Sequence, residues 1–311
     1  MLIHLRHLLL TVGLLLFAAA CAHASTAVVI VSSERSTSYR EATEALVTEL
    51  ERGGLSRQDV TQLLASEWEA AGPLTPRLFV AFGAEAVTVL AKAPLRAPLL
   101  AALLPRSSFE RALLQSGRKG SSQFSALYLD QPLSRQLDLI HLALPNARRI
   151  GVLWGPASKG QATALSALLR ARGLALVEAN IEHNESIFPK LKKILEEADL
   201  LLALPDSLVY NSTSIQNILL TSIRARVPVV AFSAAFVRAG ALLAVHVTPT
   251  QIGQQAAMLA QGVLRGKALP AMPVYASDFS VALNEHVARS LGLNLDADAL
   301  SAQLHHRETG P

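Results

Sequence analysis

The chain has 311 residues, of which 51% are hydrophobic, 17% charged and 5% aromatic, with 28 Lys and Arg against 24 Asp and Glu. A net charge of +4 scattered along the chain is too small to build a nucleic-acid surface. So few aromatics leave no stacking platform for single strands.

From the N-terminus, residues 1–20 have the form of a secretory signal peptide. Arg6 between His4 and His7 gives a weakly positive start, Leu8–Phe17 is an apolar run broken only by Thr11 and Gly13, and small residues follow. The run falls short of the about 20 residues that a membrane-spanning helix needs. Two cut sites compete. Ala18-Ala19-Ala20-Cys21 resembles a bacterial lipobox, which makes Cys21 the lipidated mature N-terminus; Ala22-His23-Ala24 fits an ordinary signal-peptidase site. Cys21 is the only cysteine, and here it reads as a lipid anchor rather than a redox group. The expected location is the periplasm, either as a lipoprotein sorted to the outer membrane or as a soluble protein.

From Ala27 onward, short apolar blocks alternate with helical stretches. Ala27–Val31, Leu78–Phe82, Leu99–Leu104, Ile150–Trp154, Leu200–Ala203 and Pro228–Phe232 are continuously apolar. Such strands need cover on both faces, as in a parallel sheet between helices. Periodicity and breakers predict helices at Ser38–Arg52, Ala84–Lys92, Ser107–Gln115, Leu133–Leu142, Gly160–Arg172, Ser186–Glu197, Asn211–Arg224, Gln251–Leu264 and Asn284–Leu291. Further extended segments fall at Phe124–Asp130, Leu174–Ala179, Ala241–Val247 and Pro273–Tyr275, and residues 301–311 read as a flexible tail. The βα series runs once to Asp130 and restarts at Arg149. The fold class is therefore α/β, with two doubly wound parallel-sheet, Rossmann-like lobes, and ligands of such sheets bind beyond the carboxyl ends of the strands.

The order of several short pieces carries a resemblance. Asp130-Gln131-Pro132 leads to Leu144-Pro145-Asn146-Ala147-Arg148-Arg149-Ile150-Gly151-Val152, followed by Ala203-Leu204-Pro205-Asp206-Ser207, Val227-Pro228-Val229-Val230-Ala231 and Val237-Arg238-Ala239-Gly240-Ala241-Leu242. Gln251-Ile252-Gly253, Leu264-Arg265-Gly266-Lys267-Ala268-Leu269-Pro270 and Leu283-Asn284-Glu285-His286-Val287-Ala288 complete it. From Ala27 to Leu293 the chain resembles the substrate-binding proteins of ABC transporters that include tryptophan and tyrosine binders, of type I periplasmic-binding-protein architecture. The resemblance implies lobe 1 at 25–130 plus 249–275 and lobe 2 at 131–248 plus 276–300. Three crossings near Leu129–Pro132, Val247–Thr250 and Tyr275–Phe279 would join them, and hinge closure would trap the ligand between the lobes.

The positions matching the family's cleft are Ser32, Ser33, Gly83, Ala84, Glu85, Arg106, Ser107, Asp206, Ser207, Phe232, Ser233 and Thr248. The helices opening at Ala84 and Ser107 would offer free N–H groups to an anion. Ser107, Ser158 and Ser207 serve equally well as helix caps. Asp206 is either a ligand anchor or a cap for the segment near Tyr210. Arg106 and Ser107 stand where relatives carry Asp-Pro, and Thr248-Pro249 where many carry an acid followed by an aromatic. This exchange of acid for Arg points away from an amino-acid ligand, whose ammonium needs oxygen-rich company.

Gly155-Pro156-Ala157-Ser158-Lys159-Gly160 has phosphate-loop spacing, but Gln161-Ala162 replaces the Lys-Ser/Thr that such a loop requires. G-x-S-x-G, H-E-x-x-H and paired cysteines are missing, and Glu182-His183-Asn184-Glu185 reads as a polar turn. No enzyme, cofactor or metal is expected. The expected partners are a small molecule and an inner-membrane ABC permease, with membrane attachment by the lipid alone; a sensor or accessory lipoprotein on the same fold is the alternative.

Overall fold

The computed structural model describes residues 26–309; the expected signal peptide at 1–20 and lipidation site at Cys21 lie outside them. The apolar blocks are strands of two six-stranded sheets. The first contains β1 (Val28–Ser32), β2 (Val60–Leu64), β3 (Leu78–Phe82), β4 (Leu99–Leu104), β5 (Phe124–Tyr128) and β11 (Val274–Tyr275). Its order is β11-β5-β4-β3-β1-β2, and every pairing is parallel. The second contains β6 (Arg149–Trp154), β7 (Ala175–Asn180), β8 (Leu200–Leu202), β9 (Val229–Ala231), β10 (Leu243–His246) and β12 (Ser280–Leu283), in the order β12-β10-β9-β8-β6-β7. Only β12 runs antiparallel there, at the edge.

Strand alternation sorts the cores. In β1, Val28 and Ile30 face α1 (Thr37–Arg52) and α9 (Pro249–Leu264), meeting Leu46, Leu50, Ile252 and Ala256. Val29 and Val31 face the other way, toward Val87 and Leu90 of α2 (Ala84–Lys92) and Phe109 of α3 (Arg106–Ser116). In the second sheet, Ile150, Val152 and Trp154 pack on Leu137 and Ile140 of α4 (Leu133–Ala143) and Leu165 of α5 (Ala162–Ala171). Leu153 and Leu201 meet α6 (Ile187–Glu197) and α7 (Ile215–Arg224) through Leu191, Ile194 and Ile218. Glycine is required where α1 and α9 touch, because a Cβ at Gly253 would run into the Ala42 carbonyl and the Ala45 side chain.

The chain passes between the sheets three times, at residues 129–132, 247–248 and 276–279. Strands β2 and β12 and the short helix α8 (Ala234–Ala239) are additions to the sequence reading. The flexible tail expected at 301–311 is corrected over its described part. Residues Ala297–Thr309 form helix α11, which follows α10 (Glu285–Ser290) and buries Leu300 and Leu304 against the second core.

Candidate ligand-binding site

Most of the sequence-nominated residues gather at the carboxyl ends of the strands, on two rims. On the first, Ser33 closes β1. Its hydroxyl donates to the Phe82 carbonyl at 3.1 Å and accepts the Ala86 N–H at 3.0 Å, capping α2 from a neighbouring strand. Gly83 supplies the turn into α2 at φ 89°, and a Cβ there would meet the Tyr39 and Ser33 hydroxyls. Tyr39, from the first turn of α1, therefore lies with Ser33, Gly83, Ala84 and Glu85. Burial raises its phenol pKa, the Ser33 hydrogen bond pulls it back, and Glu34 and Glu85 add to the rise. A cavity of about 540 Å³ opens beside this group, lined by Ser32, Glu34, Arg35, Tyr39, Gln62 and Glu67 among others.

The end of β4 is irregular. Its register with β5 shifts between Ala101 and Leu104, and Leu103 takes φ 55°, a left-handed conformation that costs a leucine ~1–3 kcal/mol. The kink delivers Pro105 and Arg106 to the rim. Helix α3 starts at Arg106, so Ser107 lies within its first turn and does not cap it. The Arg106 N–H is taken by the carboxylate of Asp130, which reaches across from the first crossing. Burial pushes the Asp130 carboxyl up, and the Arg106 N–H works against that rise. The Arg106 guanidinium bonds Glu110 at 2.7 Å and lies near Tyr275, both of which hold its proton more tightly. Tyr275 pairs in register with Tyr128 and packs edge-on to it at 5.4 Å.

The charge of Arg106 is met within the chain, and Asp130 brings an acid to the same rim.

On the second rim, Asp206 is 5% exposed. One carboxylate oxygen accepts Ala157 N–H and Ser158 N–H at 2.9 Å and the Ser158 hydroxyl at 3.0 Å; the other accepts Leu208 N–H at 3.0 Å. Asp206 therefore fastens the loop after β6 to the loop after β8. Gly155 stands where a side chain would strike that carboxylate. Ser207 is exposed, and its carbonyl accepts from Asn211 at 3.1 Å. Phe232 packs edge-on between Tyr210 and Phe236, at 6.1 and 4.8 Å. Ser233 caps α8 by accepting Phe236 N–H at 3.3 Å. Thr248 and Gln251 form a reciprocal capping box at the start of α9. The Tyr210 phenol is buried with no hydrogen-bond partner among the described residues, and burial first, then Asp206, raises its pKa.

Sequence reasoning did not place Tyr39 and Asp130 on the first rim. Tyr39 hid in a predicted helix, and the Arg106 contact of Asp130 spans 24 residues. Among the described residues no group of three or more His, Cys, Asp and Glu side chains gathers to hold a metal, and no helix is long and apolar enough to cross a membrane. The larger cavity, about 1020 Å³ around Arg77, Phe79 and Pro98, lies at the opposite, amino-terminal ends of β3 and β4.

The family model described as ABC transporter substrate binding protein matches residues 73–306. A curated relative, the tyrosine-binding protein of Clostridioides difficile (strain R20291), is 25% identical over 194 residues, which cover 61% of this chain and 56% of that one, a little over half the relative's length. Among solved structures, the ligand-free, open form of a substrate-binding protein with adhesive properties from Clostridium difficile superposes with a TM-score of 0.71 at 18% identity, covering 88% of this chain and 97% of its own. The ABC domain in complex with L-Trp from Streptococcus pneumonia gives 0.63 at 16% identity, over 89% and 97%. A conserved domain protein from Vibrio cholerae gives 0.62 at 20% identity, over 89% and 98%. At these identities the structural likeness speaks to the fold, which is that of type I periplasmic binding proteins.

Proposed function

The chain belongs to the family of ABC transporter substrate-binding proteins, and from that premise we propose that it captures a small solute between two lobes and presents it to an ABC permease in the inner membrane. The lobes comprise residues 25–130 with 249–275 and residues 131–248 with 276–300. The observation that carries this reading is the topology of two sheets linked by three short crossings, with the nominated residues at the strand ends beside those crossings. Closure about the crossings would bring the Ser33–Tyr39–Asp130 rim to the Phe232–Ser233 rim.

The solute we propose is a small zwitterion of amino-acid type. Asp130 offers a carboxylate to an ammonium, and the first turn of α2 offers N–H groups to a carboxylate. A relative named for tyrosine binding supports the choice. No bond need be made or broken; the rims bind and orient. Residues 1–20 would direct export to the periplasm, and Cys21 would carry the lipid that holds the protein at the membrane. Mass spectrometry of the mature N-terminus tests that anchor.

The test of capture is a thermal-shift screen of L-tyrosine, L-tryptophan and related amino acids, followed by small-angle scattering. A solute at a hundredfold excess over its Kd stabilises the folded form by about 2.7 kcal/mol, and the radius of gyration should fall when it binds. Stabilisation without contraction would refute capture between lobes. Stimulation of a reconstituted permease ATPase by the loaded protein separates transport from sensing.

A further inference from the structure

Arg135 is the one arginine among the buried polar and charged side chains of the described residues, 5% exposed at the foot of α4. Its contacts converge on the crossings. Nη1 donates to the Gln131 side chain at 2.6 Å, in the first crossing, and to the Ala276 carbonyl at 2.8 Å, in the third. The guanidinium also lies over the Phe279 ring at 4.1 Å, and His305 of α11 stacks parallel on that ring at 3.9 Å. Its carboxylate partner is Glu308, near the end of α11, held by a two-pronged pair at 2.5 and 2.6 Å.

The third crossing is also gripped from the other side. Gln255 of α9 accepts Ser277 N–H at 2.7 Å and Asp278 N–H at 3.1 Å, and donates to the Asp278 carbonyl at 3.2 Å. Gln251 joins the second crossing to β12, accepting from Thr248 N–H at 2.9 Å and from the Ser280 hydroxyl at 3.4 Å. The segment 276–279 is therefore fastened at once to the first-sheet layer through Gln255 and to the second-sheet layer through Arg135. Any relative rotation of the layers must strain or break one of these attachments.

We propose that the C-terminal helix is a clamp on the hinge: Glu308 holds Arg135 in place, and Arg135 in turn restrains the first and third crossings, setting how far the ligand-free lobes swing. The clamp rests on the hinge reading above. The physical reason is desolvation. A buried guanidinium keeps its position only while a carboxylate offsets its charge. Without Glu308 it turns toward water and releases the Gln131 side chain and the Ala276 carbonyl. Glu308 and Arg135 act here as positioning residues; neither needs to touch the solute.

The test is a pulsed-dipolar distance measurement on the full chain without added solute, with spin labels at K92C on α2 and E196C on α6 and the native thiol removed by C21S. The parent should give a narrow distribution. E308A should lose that narrow peak and spread to longer separations, while circular dichroism and melting show both layers still folded. E308Q keeps the side-chain volume and one acceptor oxygen; it should broaden the distribution less, and it keeps the test decisive should E308A fail to fold. A folded variant with the parent's distribution, or a parent already as broad as E308A, overturns the clamp and leaves the hinge standing. One unvarying distance in parent and variants, with or without a solute that stabilises the chain, overturns hinge and clamp together.

Discussion

Replacing Asp206 with Ala separates a rim that is built in advance from one that the solute completes. The carboxylate accepts three backbone N–H groups, from Ala157, Ser158 and Leu208, and one hydroxyl. Ser158 N–H keeps a second acceptor in the Gly155 carbonyl at 3.2 Å, so the main loss falls on Ala157 and Leu208. Each of these part-buried donors loses a hydrogen bond to a charged group, worth ~1.5–3 kcal/mol, which puts D206A at about 3–5 kcal/mol. For a domain of this size 1 kcal/mol moves the melting temperature by about 2–4 °C, so a drop on the order of 10 °C is expected, in the transition of the second lobe if the lobes melt separately. D206N should fall between parent and Ala, because an amide can present its oxygen to the Ala157–Ser158 side only by turning its NH₂ toward Leu208 N–H. Calorimetric melting and solute titration of the same samples make the test. A melting temperature within about 1 °C of the parent, as for a neutral surface change, combined with a large loss of affinity would refute the stapling argument and make Asp206 a ligand anchor.

Three further outcomes are expected. G253A should destabilise by about 1–3 kcal/mol in urea unfolding, the usual cost of overpacking, since the added methyl meets the Ala42 carbonyl of α1. Y210F should leave the melting temperature unchanged or raise it, because the hydroxyl it removes is buried and without a hydrogen-bond partner among the described residues. Burial pushes the Tyr128 phenol up to about 12, with Arg106 opposing and nearby acids adding to the rise. The fold holds that proton more tightly than the unfolded chain does, so the stability it contributes is complete below about pH 10 and is lost as pH climbs toward 12. Phenolate absorbance should show Tyr128 lagging behind a free phenol, and Y128F should flatten the alkaline loss of stability.

The central strands were legible because burial on both faces leaves no polar position to confuse the pattern. The edges were not. β2 reads Val-Thr-Gln-Leu-Leu and is partly exposed along its length, and β12 is likewise half-buried; neither shows a continuous apolar block. Helix α11 looked like a polar tail because its docking rests on Leu300, Leu304 and an ion pair whose partner lies 173 residues away. The position of the nominated residues at the strand ends was legible, because each follows an apolar block, but the hydrogen-bonding duties of individual residues there were not. Asp206 sits at the predicted strand end, yet its acceptors face a loop 48 and 49 residues earlier, and the acid beside Arg106 comes from the end of a different strand.

A common feature of these rims bears on affinity. Ser33 caps α2, Asp130 takes the first N–H of α3, Asp206 braces the loop after β6, Ser233 caps α8 and Thr248 caps α9. Loops held this way keep their shape without a solute, so little ordering entropy is charged to binding. The free energy of the contacts then goes mainly into moving the layers, and a solute that touches only one rim gains nothing from closure because it does not distinguish open from closed. On the proposed clamp, the resistance it must overcome lies in segment 276–279, between Gln255 and Arg135. Weakening that grip should therefore shift the open–closed balance while leaving every rim contact intact, whereas removing the Ser33 or Ser233 cap, both outside the crossings, should loosen a rim without freeing the hinge.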